Sequence, residues 1–271
     1  MQYWLEAAAA ALFACAGIVV GNLFSRLSKP YWTFGYFIPL ASVLVYAVAS
    51  QVPALSFVPP VSWMMMGRKK FAVMGFIAAL ILTTPLSRLP GKRDRGLVCL
   101  LMAVMVFRAS VWPFIVPAFE HRELSQLRTR IVANGICLQT TDYTCGPAAA
   151  VTALRQLGLS GAEGELAILS ETSSAAGTPP DMLADALQRE YGRQGLVAEC
   201  RPFHDMSELK QAGPTLAVIK YSFMVDQWVA VLQVTNSAVI VGDPLTGKVK
   251  IQADAFQREW RFIGVVLRLK P

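Results

Sequence analysis

A cysteine at the predicted start of a helix is the strongest chemical signal in this 271-residue sequence. The residues before Cys145 are polar and extended in character, and an Ala/Leu-rich helical pattern begins with Gly146 and Pro147, which suit a first helical turn. Thr144 is expected to cap this helix. The positive end of the helix dipole should lower the pKa of the Cys145 thiol and favour the nucleophilic thiolate. Gln139, six residues earlier, could place its side-chain N–H₂ beside the thiol as an oxyanion donor.

The motif Gln-x₅-Cys-Gly-Pro-Ala at positions 139–148 resembles the nucleophile region of the C39 peptidases, papain-like domains that process double-glycine leader peptides. The resemblance covers nearly all of residues 130–270. Segment 177–192 resembles the family's second helix, segment 226–232 the strand that begins with the catalytic histidine, and segment 239–244 the strand that ends in Asp-Pro. The resemblance implies a papain-like cysteine-peptidase fold for this half of the chain.

One position departs from the family's pattern. The resemblance implies Cys145 as the nucleophile, Gln139 as its companion and Asp243 as the residue that orients a catalytic histidine. Gln227 stands where that histidine belongs. A cysteine peptidase needs a base that takes the thiol proton and later delivers it to the leaving amine. Imidazole does both near neutral pH and a carboxamide does neither, so Asp243 is expected to lack its partner.

The two histidines of the chain do not obviously replace the missing base, because His204 precedes a predicted helix and His121 follows the last apolar stretch. We therefore expect a catalytically impaired module that binds an extended peptide in its cleft, using sheet-edge hydrogen bonds. The alternative is an active membrane-bound cysteine peptidase or acyl-transfer enzyme with Cys145 as nucleophile and an unrecognised base. A membrane scaffold for which the cleft is irrelevant is a third hypothesis. A histidine at position 227 that had been deliberately replaced by glutamine would give the same sequence, so this alternative also stays open.

The residues of the second half predict the same fold without the family. Helical patterns come first, and five segments rich in β-branched and aromatic residues follow, separated by Asn-Ser, Asp-Pro and Thr-Gly turns. They are residues 215–220, 228–234, 238–242, 248–251 and 262–269. Helices followed by a largely antiparallel sheet define an α+β domain.

The net charge of +7 belongs to the first half of the chain. Residues 1–119 carry ten Lys/Arg and two acids, Glu6 and Asp94, and the remaining residues carry fifteen Lys/Arg and sixteen acids. The cations of the first half stand in short polar segments between apolar stretches, as in membrane loops. This placement removes the support for a nucleic-acid partner.

Four apolar stretches are long enough to cross a membrane. They are residues 3–24, 32–52, 71–86 and 96–119. The N-terminus lacks the basic residues and the cleavage site of a signal peptide. Residues 53–66, with Pro-Pro and Met-Met-Met, are expected to form an interfacial segment. The predicted fold is thus an α-helical transmembrane bundle of about four helices followed by an α+β papain-like domain.

We predict a transmembrane region over residues 1–119, a linker helix over 120–130 and a C39-like domain over 131–271. The predicted location is the bacterial inner (cytoplasmic) membrane. The positive charges that follow the first helix favour an outside N-terminus and, after four crossings, an extracytoplasmic domain. A Walker A motif is absent from the sequence, so the chain is not itself an ABC transporter. The expected partners are a peptide or protein substrate, membrane lipids, and another membrane protein or a transporter.

The five cysteines show no metal-ligand spacing, and with two histidines in the chain neither zinc nor another cofactor is expected. A Cys137–Cys200 disulfide is possible but cannot be deduced from the sequence. Arg108 is an intramembrane charge and therefore a functional candidate. The simpler interpretation is that Arg108 is buried between helices or reaches the interface, paired with a carbonyl group or with Glu6.

Overall fold

The computed structural model describes residues 2–51, 68–222 and 225–270. The chain divides into two compact units, Met1–Ala118 and Phe119–Pro271. The predicted interfacial segment, residues 53–66, lies outside the described residues.

The N-terminal unit is built from apolar helices. Those described are α1 (Gln2–Arg26), α2 (Phe34–Gln51), α3 (Lys69–Thr83), α4 (Lys92–Val106) and α5 (Trp112–Ser125), with a π-helical turn at Phe107–Val111. Four segments have the length and composition of membrane spans, namely Trp4–Arg26, Tyr31–Val48, Lys69–Arg88 and Lys92–Ser125. The prediction of four candidate membrane helices is confirmed.

Glycines allow α1 and α3 to approach closely. Gly17 and Gly21 lie one turn apart on α1, and a Cβ atom on Gly21 would come within 2.8 Å of the Leu80 carbonyl oxygen of α3. Lipid tails provide little hydrophobic drive for helix association, so close backbone packing of this kind contributes much of the stability. Substitution of either glycine would force the two helices apart.

The Arg68–Glu6 ion pair of the N-terminal unit differs from the Arg108–Glu6 pair suggested by the sequence. Arg68 donates to Glu6 Oε2 at 2.6 Å and lies 5.4 Å from the centre of the Phe114 ring. Arg108 is exposed, and its guanidinium lies 6.0 Å from the ring of Trp112. Of the alternatives for Arg108, burial between helices and pairing with Glu6 are therefore wrong, because Glu6 and Arg108 contact different neighbours.

The C-terminal unit combines helices with two antiparallel sheets. Its helices are α6 (Cys145–Gln156), α7 (Glu163–Leu169), α8 (Pro180–Tyr191), α9 (Met206–Ala212) and α10 (Ala253–Glu259). Its strands are β1 (Arg130–Ile131), β2 (Cys137–Leu138), β3 (Leu196–Pro202), β4 (Thr215–Ser222), β5 (Val225–Val234), β6 (Ala238–Asp243), β7 (Gly247–Gln252) and β8 (Trp260–Leu269). The larger sheet has the order β3-β8-β4-β5-β6-β7, and β1 pairs with β2. The predicted α+β fold is confirmed, and each of the five predicted strands is present.

Alternation along β5 builds a core on each face of the sheet. Trp228 and Ala230 belong to a buried cluster that contains α6, whereas Val229 and Val231 belong to a second cluster with Phe256. Successive side chains of a strand point to opposite faces, so one strand supports both clusters. Helix α6 packs on β5 and is buried from its first residue to Leu154, since its alanines permit a close approach to the sheet.

Candidate active site

Cys145 is the first residue of α6, where the sequence predicts it. Thr144 occupies the N-cap position, but its side chain makes no capping hydrogen bond. Its hydroxyl donates instead to Glu163 Oε1 at 2.6 Å. The prediction that the Thr144 side chain caps the helix is wrong, because its hydroxyl oxygen accepts from the Thr141 N–H at 3.2 Å and from no N–H group of the helix.

The local environment of Cys145 favours the neutral thiol. Burial is the largest influence and raises the pKa of Cys145, and the negative charge of Asp243 raises it further. Backbone N–H groups of Trp228 and Gly146 donate toward the sulfur and oppose this rise. The predicted lowering of the Cys145 pKa is wrong, because desolvation outweighs the donors at the helix start.

A chain of polar side chains joins the other three predicted site residues. Gln227 is buried, and its Nε2 donates to Gln139 Oε1 at 3.1 Å and lies 3.5 Å from Asp243 Oδ1. Asp243 also accepts from the Leu245 N–H at 3.0 Å and from the Thr246 hydroxyl at 2.6 Å. Asp243 therefore has hydrogen-bond partners other than the histidine that the family resemblance implies. The amide of Gln227 bridges Gln139 and Asp243.

The amide of Gln139 has a second contact that limits its role. Its Nε2 donates to the Thr141 carbonyl oxygen at 2.9 Å, and its backbone N–H donates to the Pro244 carbonyl oxygen at 2.9 Å. A side-chain amide has two N–H donors. One donor of Gln139 is thus engaged within its own loop, and the other is the one that could serve an oxyanion.

The ends of two neighbouring strands position these groups. Pairing between β5 and β6 begins at Ala230 and Gly242, so residues 225–229 extend beyond it. Gln227 lies in this extension, and Asp243 is the last residue of β6. The backbone N–H of Trp228 is therefore available to the Cys145 thiol. The antiparallel arrangement brings together residues that are sixteen positions apart in the chain.

A contact with Thr178 holds the start of α6 in place. The indole N–H of Trp228 donates to the Thr178 carbonyl oxygen at 3.0 Å. A Cβ atom on Gly146 would come within 2.7 Å of Thr178 Cβ. Glycine at position 146 thus permits the close approach that seats Cys145 beside β5.

Glu163 is a site residue that the sequence analysis missed. Its carboxylate is fully buried and accepts three hydrogen bonds, from the Thr140 N–H at 2.7 Å, the Thr140 hydroxyl at 2.6 Å and the Thr144 hydroxyl at 2.6 Å. These bonds hold the loop between Gln139 and Cys145. An acid in the first turn of a predicted helix is ordinary, so its spacing carries no signal of this role.

The histidines and the other cysteines lie elsewhere. His204 is exposed, with its Nδ1 2.9 Å from Glu208 Oε1, and His121 is exposed on α5. All five cysteines are free, so the possible Cys137–Cys200 disulfide is not formed. Within the described ranges, no group of three or more His, Cys, Asp or Glu residues is arranged to hold a metal ion.

A cavity of about 590 Å³ adjoins the loop that precedes Cys145. It is lined by Glu123, Thr140, Thr141, Asp142, Tyr143 and Ser174. Nearby, Glu120 accepts hydrogen bonds from the backbone N–H and the hydroxyl of Ser174. Burial is the larger cause that raises the pKa of the Tyr143 phenol, and proximity to the carboxylates of Glu120 and Glu123 raises it further.

An α+β unit with a cysteine at the start of a buried helix, packed on an antiparallel sheet, has the architecture of papain-like cysteine peptidases. The model of the Peptidase C39 family matches residues 134–271, and the chain belongs to this family. The predicted resemblance is confirmed.

The chain is also similar to proteins of known sequence or structure. An uncharacterised protein of Methanothermobacter marburgensis is 29% identical over 145 residues, which cover 54% of this chain and 94% of the relative. The solved peptidase domain of Streptococcus ComA, a bi-functional ABC transporter of a quorum-sensing pathway, is 21% identical, with a TM-score of 0.43 and coverage of 49% of this chain and 96% of that domain. A double glycine motif protease from an AMS/PCAT transporter, solved with its leader peptide, is 17% identical, with a TM-score of 0.43 and coverage of 53% and 93%.

Proposed function

We propose that this protein is a membrane-anchored C39 domain that binds an extended peptide in its cleft and cleaves peptides poorly or not at all. The observation that carries the proposal is the buried Gln227 amide, which lies between Gln139 and Asp243. An amide at this position preserves the hydrogen bonds that shape the cleft. It cannot accept the proton of the Cys145 thiol.

The state of the thiol supports the same proposal. The pKa of Cys145 is raised, so the neutral thiol predominates at neutral pH. Without a base to ionise it, the nucleophile stays weak. Loss of one member of a catalytic triad lowers the turnover rate by about 10³-fold or more in serine-protease analogues.

The geometry of the cleft suits a peptide in extended conformation. Residues 225–229 of β5 reach past the end of β6, and we infer that an extended peptide docks along this part of β5, beside the Trp228 N–H that donates toward Cys145. The cavity beside the Thr140–Tyr143 loop offers a place for a side chain of that peptide. The substrate class is that of the family, a peptide segment such as one containing Gly-Gly.

A second candidate function is an active cysteine peptidase or acyl-transfer enzyme. Two observations favour it: N–H groups of Trp228 and Gly146 donate toward the Cys145 sulfur, and Gln139 and Asp243 stand beside position 227. In such an enzyme, the proton of the Cys145 thiol would be taken by a group that does not contact Cys145 in this structure, for example a basic group of the substrate.

The two functions are separated by measuring binding and turnover on the full chain in detergent. A fluorescent peptide containing Gly-Gly is titrated against the wild-type protein and the Cys145→Ala variant, and cleavage is followed by mass spectrometry. We expect saturable binding to both proteins and no cleavage. Cleavage by wild type that is lost in Cys145→Ala would establish the second function instead. Absence of saturable binding would refute peptide docking.

The membrane arrangement forms part of the proposal. We place residues 1–119 in the cytoplasmic membrane and residues 131–271 on the extracytoplasmic side. The separate linker helix predicted over residues 120–130 is not formed, because residues 120–125 are the end of α5 and Arg130 begins β1. The exposed Gln211 of α9 is a suitable reporter, because the neighbouring helix cap at Asp205 stays intact. In intact cells, a Gln211→Cys variant should react with an impermeant thiol reagent more than wild type does. Protection until the cells are broken would place the domain in the cytoplasm.

A further inference from the structure

Arg108 is an exposed cation in the last candidate membrane span, Lys92–Ser125. It lies in the π-helical turn Phe107–Val111, and such turns are frequent at functional sites. Its guanidinium contacts the ring of Trp112. Among residues 2–51, 68–222 and 225–270, it makes no hydrogen bond or ion pair.

Two contacts with α3 determine the depth of Arg108. A Cβ atom on Gly75 would meet Ser110, and the Thr83 hydroxyl lies 3.2 Å from the Met102 sulfur. Gly75 is thus level with Ser110, and Thr83 is level with Met102, so the two helices are antiparallel and matched residue for residue. By the same correspondence, Arg108 is level with Ile77. At about 1.5 Å per residue, Ile77 is roughly 12 Å from one end of the span Lys69–Arg88 and roughly 16 Å from the other. A hydrocarbon core is about 30 Å thick, so Arg108 lies near its middle.

Arg108 belongs to an apolar exposed seam. Leu97, Leu101 and Val104 precede it at alternating spacings of three and four residues, and they are 58%, 51% and 56% exposed. This spacing places all four side chains on one helix face, as in the contact seam of paired helices. Polar side chains in such a seam hold transmembrane helices together.

The charges of the first half indicate which partner fits this seam. Glu6 and Asp94 are its acids. Glu6 pairs with Arg68 at the Lys69 end of the bundle, and Asp94 is in the first turn of α4, fourteen residues or roughly 21 Å from Arg108. A second copy in the same orientation would therefore bring Arg108 against Arg108 with no carboxylate at that depth. Lipid phosphates lie at the ends of the span, beyond the reach of a side chain at its middle.

We propose that the seam Leu97–Arg108 docks a transmembrane helix of a different membrane protein, one that carries an aspartate or glutamate at the depth of Arg108. The carboxylate forms an ion pair with Arg108, and the leucines and the valine pack against the partner helix. Intramembrane charges are stable chiefly when paired in this way. This surface is independent of the peptide cleft.

The test uses the full chain, donor-labelled, in vesicles of zwitterionic lipid at neutral pH. The probes are acceptor-labelled Leu/Ala transmembrane peptides with one central Glu, one central Gln, or one Glu about eight residues off centre. We expect energy transfer to show about tenfold tighter association of the central-Glu peptide than of the other two. Arg108→Leu should abolish this preference, whereas Arg108→Lys should retain part of it.

Several results would overturn the proposal. One is equal affinity for the central-Glu and central-Gln peptides. Another is self-association of the chain that is lost in Arg108→Leu, which would assign the seam to a second copy. Arg108-dependent retention by anionic vesicles without a peptide preference would assign it to lipid. An unpaired exposed charge should destabilise the isolated chain, so without a peptide Arg108→Leu should be at least as thermally stable in vesicles as wild type. A lower thermal stability of Arg108→Leu would assign Arg108 a structural role.

Discussion

Replacement of Gln227 by histidine should restore the ionisation of Cys145. Gln227 Nε2 lies 3.5 Å from Asp243 Oδ1, so an imidazole at this position would have a carboxylate to orient it. We propose that its other nitrogen would reach the Cys145 thiol. The introduced base should then take the thiol proton and form a thiolate–imidazolium pair.

The size of the effect follows from the thiol pKa. An ordinary value of 9.0 leaves about 1% thiolate at pH 7, and the pKa of Cys145 is raised, so its thiolate fraction is smaller still. Histidine-paired cysteines have pKa values of about 3–4 and are fully ionised at pH 7. Their intrinsic nucleophilicity is also lower, by roughly 10²-fold for a difference of about five units. The two effects nearly cancel at pH 7, so the pH profile is a sharper measure than a single rate.

The assay measures the alkylation rate of Cys145 in the full chain by mass spectrometry, between about pH 5.5 and about pH 8.5. This interval is close to the pH range in which folded proteins are most stable. For wild type we expect the rate to rise about tenfold per pH unit, because only the thiolate reacts. For Gln227→His the rate should be nearly independent of pH. Gln227→Asn, which shortens the amide without adding a base, is the matched control and should keep the wild-type slope.

Two outcomes would refute this reasoning. A folded Gln227→His protein that keeps the tenfold slope would show that position 227 does not address the thiol. A flat profile in wild type would show that Cys145 already has a base, and the proposal of an impaired enzyme would fail. Adding Asp243→Asn to Gln227→His should shift the profile back toward wild type, because the imidazolium loses its carboxylate.

Three further predictions concern buried groups. Glu163→Gln should lower the free energy of unfolding in urea by about 2–4 kcal/mol, since three hydrogen-bond donors lose their carboxylate. The control is Glu165→Gln at an exposed position, which should change this free energy by less than about 0.5 kcal/mol. Equal effects of the two substitutions would contradict the prediction. Gly146→Ala should cost about 1–3 kcal/mol, because its Cβ would overlap Thr178; an unchanged unfolding midpoint would disprove it. Burial raises the pKa of Cys137 to about 12. The free energy of unfolding should therefore fall as the pH rises from about 9 towards about 12, because the thiol ionises more readily in the unfolded chain. Alkylation of Cys137 in the native protein at about pH 8 would contradict this prediction.

Local patterns were sufficient to predict much of the fold. Apolar stretches of membrane length and β-branched runs between turn residues are properties of neighbouring residues, and both correspond to observed elements. Strand β3 was missed, because Glu199, Arg201 and Pro202 give it a weak strand pattern. It is nevertheless a strand, since β8 provides an antiparallel partner along its whole length.

The sequence by itself determined which chemical groups surround the cleft. Cys145 begins a helix, and an amide stands at position 227, where the family resemblance predicts an imidazole. Tertiary structure decided how these groups behave. Whether the thiol is ionised depends on its burial against β5, and the Thr144 hydroxyl donates to Glu163, nineteen residues away. Desolvation and long-range hydrogen bonds depend on distances between elements, and residue spacing along the chain does not contain those distances.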